Sequence, residues 1–341
     1  MLTAQNINKL KTILLTKNQR IMIIPHVNPD GDAMGSTLGF YHFFKNLGHQ
    51  PFILSPNEYP YYLEWLPGIE NTYIACQLSS EQIKNLFLTT DLIACLDFNS
   101  IQRAEGISDF IKEASLPILM IDHHETPESF ADMIFHDNNA SSTCEMVFRL
   151  IEVLELNDYI NLECAQCLYT GIVTDTGCFR YALSERVHEI AGILLQKKIE
   201  PLKIHNFLFN NSSENRLRFL GYMLKERLKV LQEYKFAYFV QTLSDTQKFD
   251  LKEGESEGIV NYALSIQGIE LACYITEKEG YTKFSFRSLG EIPAINFAKH
   301  FGGGGHHNAA GAKCVNLFIQ DAENQLIDLL KNSQHLFQHS S

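Results

Sequence analysis

The run Leu116-Pro117-Ile118-Leu119-Met120-Ile121 is short and apolar, and it stops at Asp122-His123-His124. A run of that length and composition reads as a buried strand. Others in the same half end alike. Ile21–Pro25 leads to His26, Asp30 and Asp32, Asp91–Leu96 leads to Asp97, and the apolar segment 164–173, read with them as a strand end, leads to Asp175. One Asp or His after a strand is ordinarily a cap or a turn residue, and Asn28-Pro29-Asp30-Gly31 is itself a turn sequence. A set of them is different. In an open parallel sheet the ligand crevice lies outside the carboxyl ends of the strands, so side chains far apart in sequence converge there. Two imidazoles and four carboxylates exceed what one catalytic metal needs and suit two ions sharing a bridging carboxylate. The mixed His and Asp set favours Mn, Zn or Fe over Ca or Mg.

Helical patterns separate these runs. Asn6–Thr16 carries Ile7, Leu10, Ile13 and Leu14 on one face; a helix over 33–47 ends before Gly48; Ile107–Ala114 is helical; and Ser142 with Glu145 has capping-box spacing at the head of a long helix. Tyr59–Trp65 is expected to be a hydrophobic surface helix. Strands alternating with helices give an α/β domain with a mostly parallel sheet, over 1–184. A helical connector is expected over 185–232, interrupted by Pro201. From 233 to 341 the pattern changes to a smaller α+β domain. It has strands at Phe236–Val240, Ile269–Ile275 and Tyr281–Arg287, helices over Gly258–Ser265 and Ile292–His300, and a last strand and helix. Within it, Gly302-Gly303-Gly304-Gly305-His306 suggests close backbone approach to a ligand, with freed amides forming an anion-binding nest.

The formal net charge is −12. A protein that tracks along a duplex carries a basic stripe that neutralises phosphates, and none is visible, so a nucleic-acid substrate is expected to be short and held locally. The eight cysteines show neither metal-ligand nor disulfide-framework spacing and fit small buried hydrophobes in a reducing cytoplasm. No apolar stretch reaches the ~18–20 residues that span a bilayer. Met1–Lys17 lacks the apolar core of a signal peptide. The expected location is cytoplasmic.

His26-Val27-Asn28-Pro29-Asp30-Gly31-Asp32-Ala33, then Asp97, then Asp122-His123-His124, then Asp175-Thr176-Gly177 resemble, in order and spacing, the four motifs of the DHH phosphoesterase superfamily. Arg287-Ser288 with Gly302–Gly305 and His306 resembles the DHHA1 domain that accompanies it. The likeness covers nearly the whole chain and is greatest to the NrnA-like subgroup of bifunctional oligoribonucleases and pAp phosphatases. RecJ exonucleases share the motifs but are longer, and family II pyrophosphatases lack the glycine run.

The resemblance implies two divalent cations, Mn²⁺ by preference. His26, Asp30 and Asp97 would hold one, and Asp32, Asp97, His123 and Asp175 the other. Asp122 would orient a histidine, and His124 would touch the scissile phosphate and act as general acid. Arg287, Ser288, Gly303, Gly304, Gly305 and His306 would bind the distal phosphate or base, with His307 outward. The implied partners are short single-stranded RNA or DNA oligonucleotides and pAp, with no membrane, and with a homodimer left open. A linear or cyclic dinucleotide phosphodiesterase (pApA, cyclic di-AMP) and a RecJ-like single-strand exonuclease are the enzymatic alternatives. A non-catalytic RNA-binding module is the other class, which would have no need of the full ligand set.

Overall fold

The computed structural model describes residues 4–16, 18–181, 183–252 and 254–333, and the chain divides into two units between Asn211 and Ser212. The outermost ends of the expected domains, 1–3 and 334–341, and Lys17 lie outside the described residues.

The first unit runs α1 (Ala4–Leu15), β1 (Arg20–Ile24), α2 (Gly31–Asn46), β2 (Gln50–Ser55), β3 (Thr72–Ile74), α3 (Ser80–Leu88), β4 (Leu92–Leu96), α4 (Ser108–Glu113), β5 (Ile118–Asp122), β6 (Met133–His136), α5 (Thr143–Val153), α6 (Leu162–Asp175), α7 (Glu185–Gln196) and α8 (Pro201–Phe209). Its six strands are all parallel, in the order β3-β2-β1-β4-β5-β6. Strands β4 and β5 are buried at every position, and β1 at all but Arg20. A sheet covered on both faces demands that, which is why these strands read as unbroken apolar runs. Ile21 and Ile23 face the core built by α2, α5, α6 and α7, while Met22 and Ile24 face the one built by α3 and α4. The chain winds from β1 out to β3, returns to β4 on the other side of β1, and winds out to β6. The direction therefore reverses between β1 and β4, and an open α/β sheet offers its crevice at such a switch point.

Helices α2 and α6 pack backbone to backbone. Gly31, Gly35 and Gly39 recur every four residues and share one face of α2. A Cβ on Gly35 would stand 2.8 Å from Cys167 O and 2.9 Å from Gly171 N, and one on Gly39 2.6 Å from Leu168 Cδ2.

Four expectations change before the glycine run is reached. The 164–173 segment is not a strand end: it is the body of α6, capped by Asn161 and buried from Cys164 to Val173 at every position but Gln166. A helix enclosed on all sides is apolar all round, and its sequence then looks like a buried strand. Tyr59–Trp65 holds only a single 3₁₀ turn, Tyr61–Leu63, with Trp65 stacked on Phe207 at 4.7 Å. The Ser142 hydroxyl accepts from Glu145 N at 3.0 Å, but the Glu145 carboxylate does not return the bond; it takes the N–H and hydroxyl of Ser141, both at 2.8 Å. Finally, the stretch 185–232 is shared out: Val187, Ile190 and Leu194 of α7 and Ile204 of α8 belong to the core of the first unit, whereas α9 (Glu214–Tyr222) places Phe219 in the second.

After α9 the second unit continues through a π-helical turn into β7 (Leu228–Leu231). Then come β8 (Phe236–Gln241), α10 (Leu243–Lys248), α11 (Ile259–Leu264), β9 (Leu271–Lys278), β10 (Tyr281–Ser288), α12 (Ala294–His300), β11 (Gly304–His306), β12 (Ala309–Val315) and α13 (Ile319–Asn332). The sheet order is β11-β12-β10-β9-β8-β7, with only β8 and β9 parallel. One face is packed by α12 and α13, the other by α11 over β8 and β9.

The glycine run does not form the expected nest at its start. Gly302 N and Gly303 N donate to Lys299 O (3.0 Å) and Ala298 O (2.9 Å), closing α12, and Gly304–His306 is an edge strand on β12. The glycines answer a packing demand: a Cβ on Gly303 would overlap Gly311 O, and one on Gly305 would stand 2.5 Å from Ala309 O.

Candidate metal centre

Asp97 sits at the switch point of the first unit. It follows β4 with φ of +67°, a left-handed conformation that costs a residue with a Cβ. Its N–H donates to Ile121 O at 3.0 Å, which pins it to β5, and its side chain is 3% exposed. The two carboxylate oxygens face different histidines: Oδ2 is 3.4 Å from His26 Nε2, and Oδ1 is 3.6 Å from His123 Nε2.

Each histidine is held by its other nitrogen. His26 Nδ1 lies 2.8 Å from Val27 O and His123 Nδ1 3.2 Å from Ala140 O. A carbonyl only accepts, so Nδ1 carries a proton and Nε2 is left for a cation or a second proton. Asp30 is the N-cap of α2, its Oδ1 accepting from Asp32 N (3.0 Å) and Ala33 N (3.1 Å), and that oxygen is 4.0 Å from His26 Nε2. Asp32 lies in the first turn of α2, and Asp175 ends α6; their Oδ2 atoms stand 3.9 Å and 3.5 Å from His123 Nε2.

Donor atoms of His26, Asp30 and Asp97 thus lie within 4.8 Å of one another, as do those of Asp32, His123 and Asp175. Ligands at ~2.0–2.2 Å from a common ion are themselves ~3.0–3.6 Å apart. The His–Asp97 and His123–Asp175 spacings fall in that range, and they are longer than good hydrogen bonds. The donor set fits two cations with Asp97 between them.

The electrostatics agree. Burial alone would lower His123, but the carboxylates of Asp175, Asp97 and Asp32 outweigh it and push the imidazole up to about 9. His26 is raised against its own burial by the Asp97 carboxylate facing it and by Asp30. Asp32 is pushed well above the usual carboxylate range by burial and by repulsion from Asp97 and Asp175. Asp97, buried as it is, is held low by His26, His124 and His123. One carboxylate surrounded by imidazoles and another crowded by carboxylates is the imbalance that added positive charge relieves.

Asp122, the last residue of β5, is fully buried. Its Oδ1 is 2.7 Å from His124 Nδ1, and its Oδ2 accepts from His124 N at 3.1 Å.

Several contributors escaped the sequence reading. The N-terminus of α5 donates two amides to Asp32, Thr143 N at 2.6 Å and Cys144 N at 2.9 Å, and Thr143 Oγ1 donates to Asp97 Oδ1 at 2.8 Å. Helix N-termini favour such anions. Strand β6 sets His136 opposite Asp122, with its Nε2 against His124 O. Arg103 Nη1 stands 2.9 Å from His124 Nε2. The helix start was legible at Ser142; Arg103 carried no signal in a polar loop.

In the second unit, the strand register puts His306, Ala309, Arg287 and Ala272 in one row across four strands. Residues directly opposite share a face. Gly304, Gly311 and Ser285 form the next row on that face. Gly304 and Gly311 bring no side chain to the patch of that face that carries Arg287 and His306, and Tyr274 continues their row beyond Ser285. The Arg287 Nη1 donates to Phe286 O at 2.9 Å. Ser288 is buried; its hydroxyl donates to Ile292 O and accepts from Asn308 Nδ2 at 3.0 Å, so it braces the loop below the patch. Gly303 is likewise within the packing, while Gly304 has open space above it.

Comparison with known proteins matches residues 20–172 to the DHH family, N-terminal domain, and residues 235–338 to the DHHA1 domain. The chain is 30% identical to the bifunctional oligoribonuclease and PAP phosphatase NrnA of Thermus thermophilus, over 91% of this chain and 89% of that one. It is 26% identical to the NrnA of Bacillus subtilis, over 91% and 93%. The crystal structure of an exopolyphosphatase-related protein from Bacteroides fragilis superposes with a TM-score of 0.93 at 35% identity, covering 99% of both chains.

Proposed function

The chain belongs to the DHH family of phosphoesterases and carries a DHHA1 domain, and from that premise we propose that it cleaves short oligonucleotides to mononucleotides and dephosphorylates pAp to AMP. The observation that carries the reading is Asp97, whose two oxygens face two separate histidine–carboxylate groups. His26, Asp30 and Asp97 would hold one divalent cation, and Asp32, Asp97, His123 and Asp175 a second; the mixed donors favour Mn²⁺. Bound there, such ions supply a Lewis acid for the phosphoryl oxygens and a water acidic enough to attack at neutral pH.

The chain's own groups do the rest. Thr143 and the α5 amides fix Asp97 and Asp32, so the ligands need not reorganise. Asp122 grips His124 through Nδ1, leaving Nε2 as the working atom. A proton placed on Nε2 is given to the oxygen that leaves phosphorus. His124→Ala is therefore expected to keep its metal content and lose turnover by ~10²–10⁴-fold, the usual worth of general acid–base catalysis. Elemental analysis beside steady-state rates checks this, and near-wild-type turnover would remove His124 from the reaction.

Arg287, with its fork of donors, suits the distal phosphate of a nucleotide. His306 and Gly304 would line the same patch. Arg287→Ala should lower kcat/KM on pAp and on two- to five-residue RNA while sparing bis-p-nitrophenyl phosphate, which needs no distal contact. Equal losses on both would assign Arg287 to the fold instead.

The reading as a whole is tested by hydrolysis with Mn²⁺ of pAp, pApA, two- to five-nucleotide RNA, cyclic di-AMP, pyrophosphate and a long single strand. Short RNA and pAp should lead. A clear preference for cyclic di-AMP or for the long strand would reassign the substrate, and inertness on all would end the enzymatic reading.

A further inference from the structure

Arg103 ends a 3₁₀ turn, Ile101–Arg103, on the loop that leaves Asp97. That loop is tied on both sides. Val27, beside His26, donates its N–H to Arg103 O at 2.7 Å. Glu128, four residues past His124, accepts from Ser100 Oγ (2.9 Å) and Ile101 N (3.2 Å), and its own N–H donates to Asn99 O at 2.7 Å. The backbone of 99–103 is thereby fixed between the segments that carry His26 and His124.

The guanidinium is half-buried and reaches His124 Nε2. An arginine can only donate, so the imidazole nitrogen is its acceptor here. No described carboxylate forms an ion pair with it, although Asp30, Asp32, Asp97, Asp122 and Asp175 are gathered in the same site and pair with histidines. A guanidinium that meets an imidazole nitrogen and forms no ion pair with the carboxylates of the site is available for an anion that arrives. With two divalent cations in place the five carboxylates would still leave one negative charge in excess, and a phosphoryl group adds more, so a guanidinium beside the cations is the charge that lets an anion enter.

We propose that Arg103 is a catalytic residue that holds a non-bridging oxygen of the phosphoryl group under attack, as a third cationic contact beside the two cations. The proposal rests on the phosphoesterase reading and adds no bond-making step: the guanidinium exchanges its hydrogen bond to His124 for charged ones to phosphate. Because Arg103 belongs to the loop of Asp97, it serves every substrate, unlike Arg287.

The test uses the full chain loaded with Mn²⁺ and inorganic phosphate as the probe, by calorimetry, with Arg103→Ala and Arg103→Lys. Arg103→Ala should bind phosphate at least about tenfold more weakly while Mn²⁺ stoichiometry and affinity stay unchanged, and Arg103→Lys should recover part. On bis-p-nitrophenyl phosphate, Arg103→Ala should lower kcat by ~10²–10³-fold, as for one lost contact to developing charge. Unchanged phosphate affinity in Arg103→Ala overturns the proposal, as does loss of Mn²⁺ together with phosphate, which would make Arg103 a brace for the ligands. Should the wild type bind phosphate through Arg103 yet hydrolyse none of the esters, the contact stands and the functional reading falls.

Discussion

Asp97→Ala is expected to release both cations and to lower turnover by more than about 10³-fold, beyond the loss of one electrostatic contact because the water and the phosphoryl group lose their hold together. The geometry sets the size. Among the described residues, no other side chain offers one oxygen to the His26 group and the other to the His123 group. Asp97→Asn keeps the shape and an acceptor for Thr143 but drops the charge, and it should fail to the same degree. Stability needs a separate account. Breaking a buried ion pair costs ~3–5 kcal/mol in general. Here the cost is partly offset, because Asp97 is the strongest charged neighbour repelling Asp32. The chelated variant should therefore melt close to the chelated wild type, and the difference should appear on adding Mn²⁺. A site filled at a hundred times its Kd gains ~2.7 kcal/mol; wild type should show that rise in Tm and the variant none. A variant that retains one full-affinity ion would mean that Asp97 does not bridge.

Gly171→Ala should drive a methyl into the centre itself. Gly171 lies in α6 where α2 and α5 cross it. Its added Cβ would overlap Cys144 Sγ and stand 2.8 Å from Asp32 Oδ1 and 3.1 Å from Asp32 Cα. Overpacking of this kind costs ~1–3 kcal/mol. Activity should fall further than stability does, since the group displaced is a candidate ligand. The double variant Gly171→Ala/Cys144→Ala separates the two effects: removing the thiol should restore much of the Tm and little of the turnover. Gly192→Ala on α7 is the control, because nothing lies within 4 Å of its Cβ. There alanine should be neutral or stabilising by ~0.5–1 kcal/mol. Wild-type turnover in Gly171→Ala would show that the glycine seam does not position Asp32.

How much of this was legible depends on what each residue answers to. Strands β1, β4 and β5 and the side chains at their ends were readable because a doubly covered parallel sheet imposes unbroken apolar runs and sharp polar stops. Asp175 was readable as a candidate site residue but not as the end of a helix, since a helix enclosed along most of its length loses its periodicity. The glycines of the second unit signalled close approach correctly, yet composition does not say whether the approaching group is a ligand or the chain itself; at Gly303 it is Gly311. Spacing by four put Gly31, Gly35 and Gly39 on one helix face, but their meaning needs the partner helix. Arg103 and Thr143 reach the centre through tertiary placement, and neither residue's local sequence says what it touches.

The strand order also governs when the centre can form. His26 and Asp30 follow β1 and Asp97 follows β4, adjacent in space but separated in the chain by α2, β2, β3 and α3. Parallel pairings of that reach close long loops and form late in folding. A folding transition state that lacks the β1–β4 pairing lacks the centre too, and ions cannot stabilise what is not yet assembled. Interactions absent from the transition state leave the folding rate alone and slow unfolding. Cations bound at this centre are then expected to lengthen the lifetime of the folded chain and not to change the speed at which it is reached.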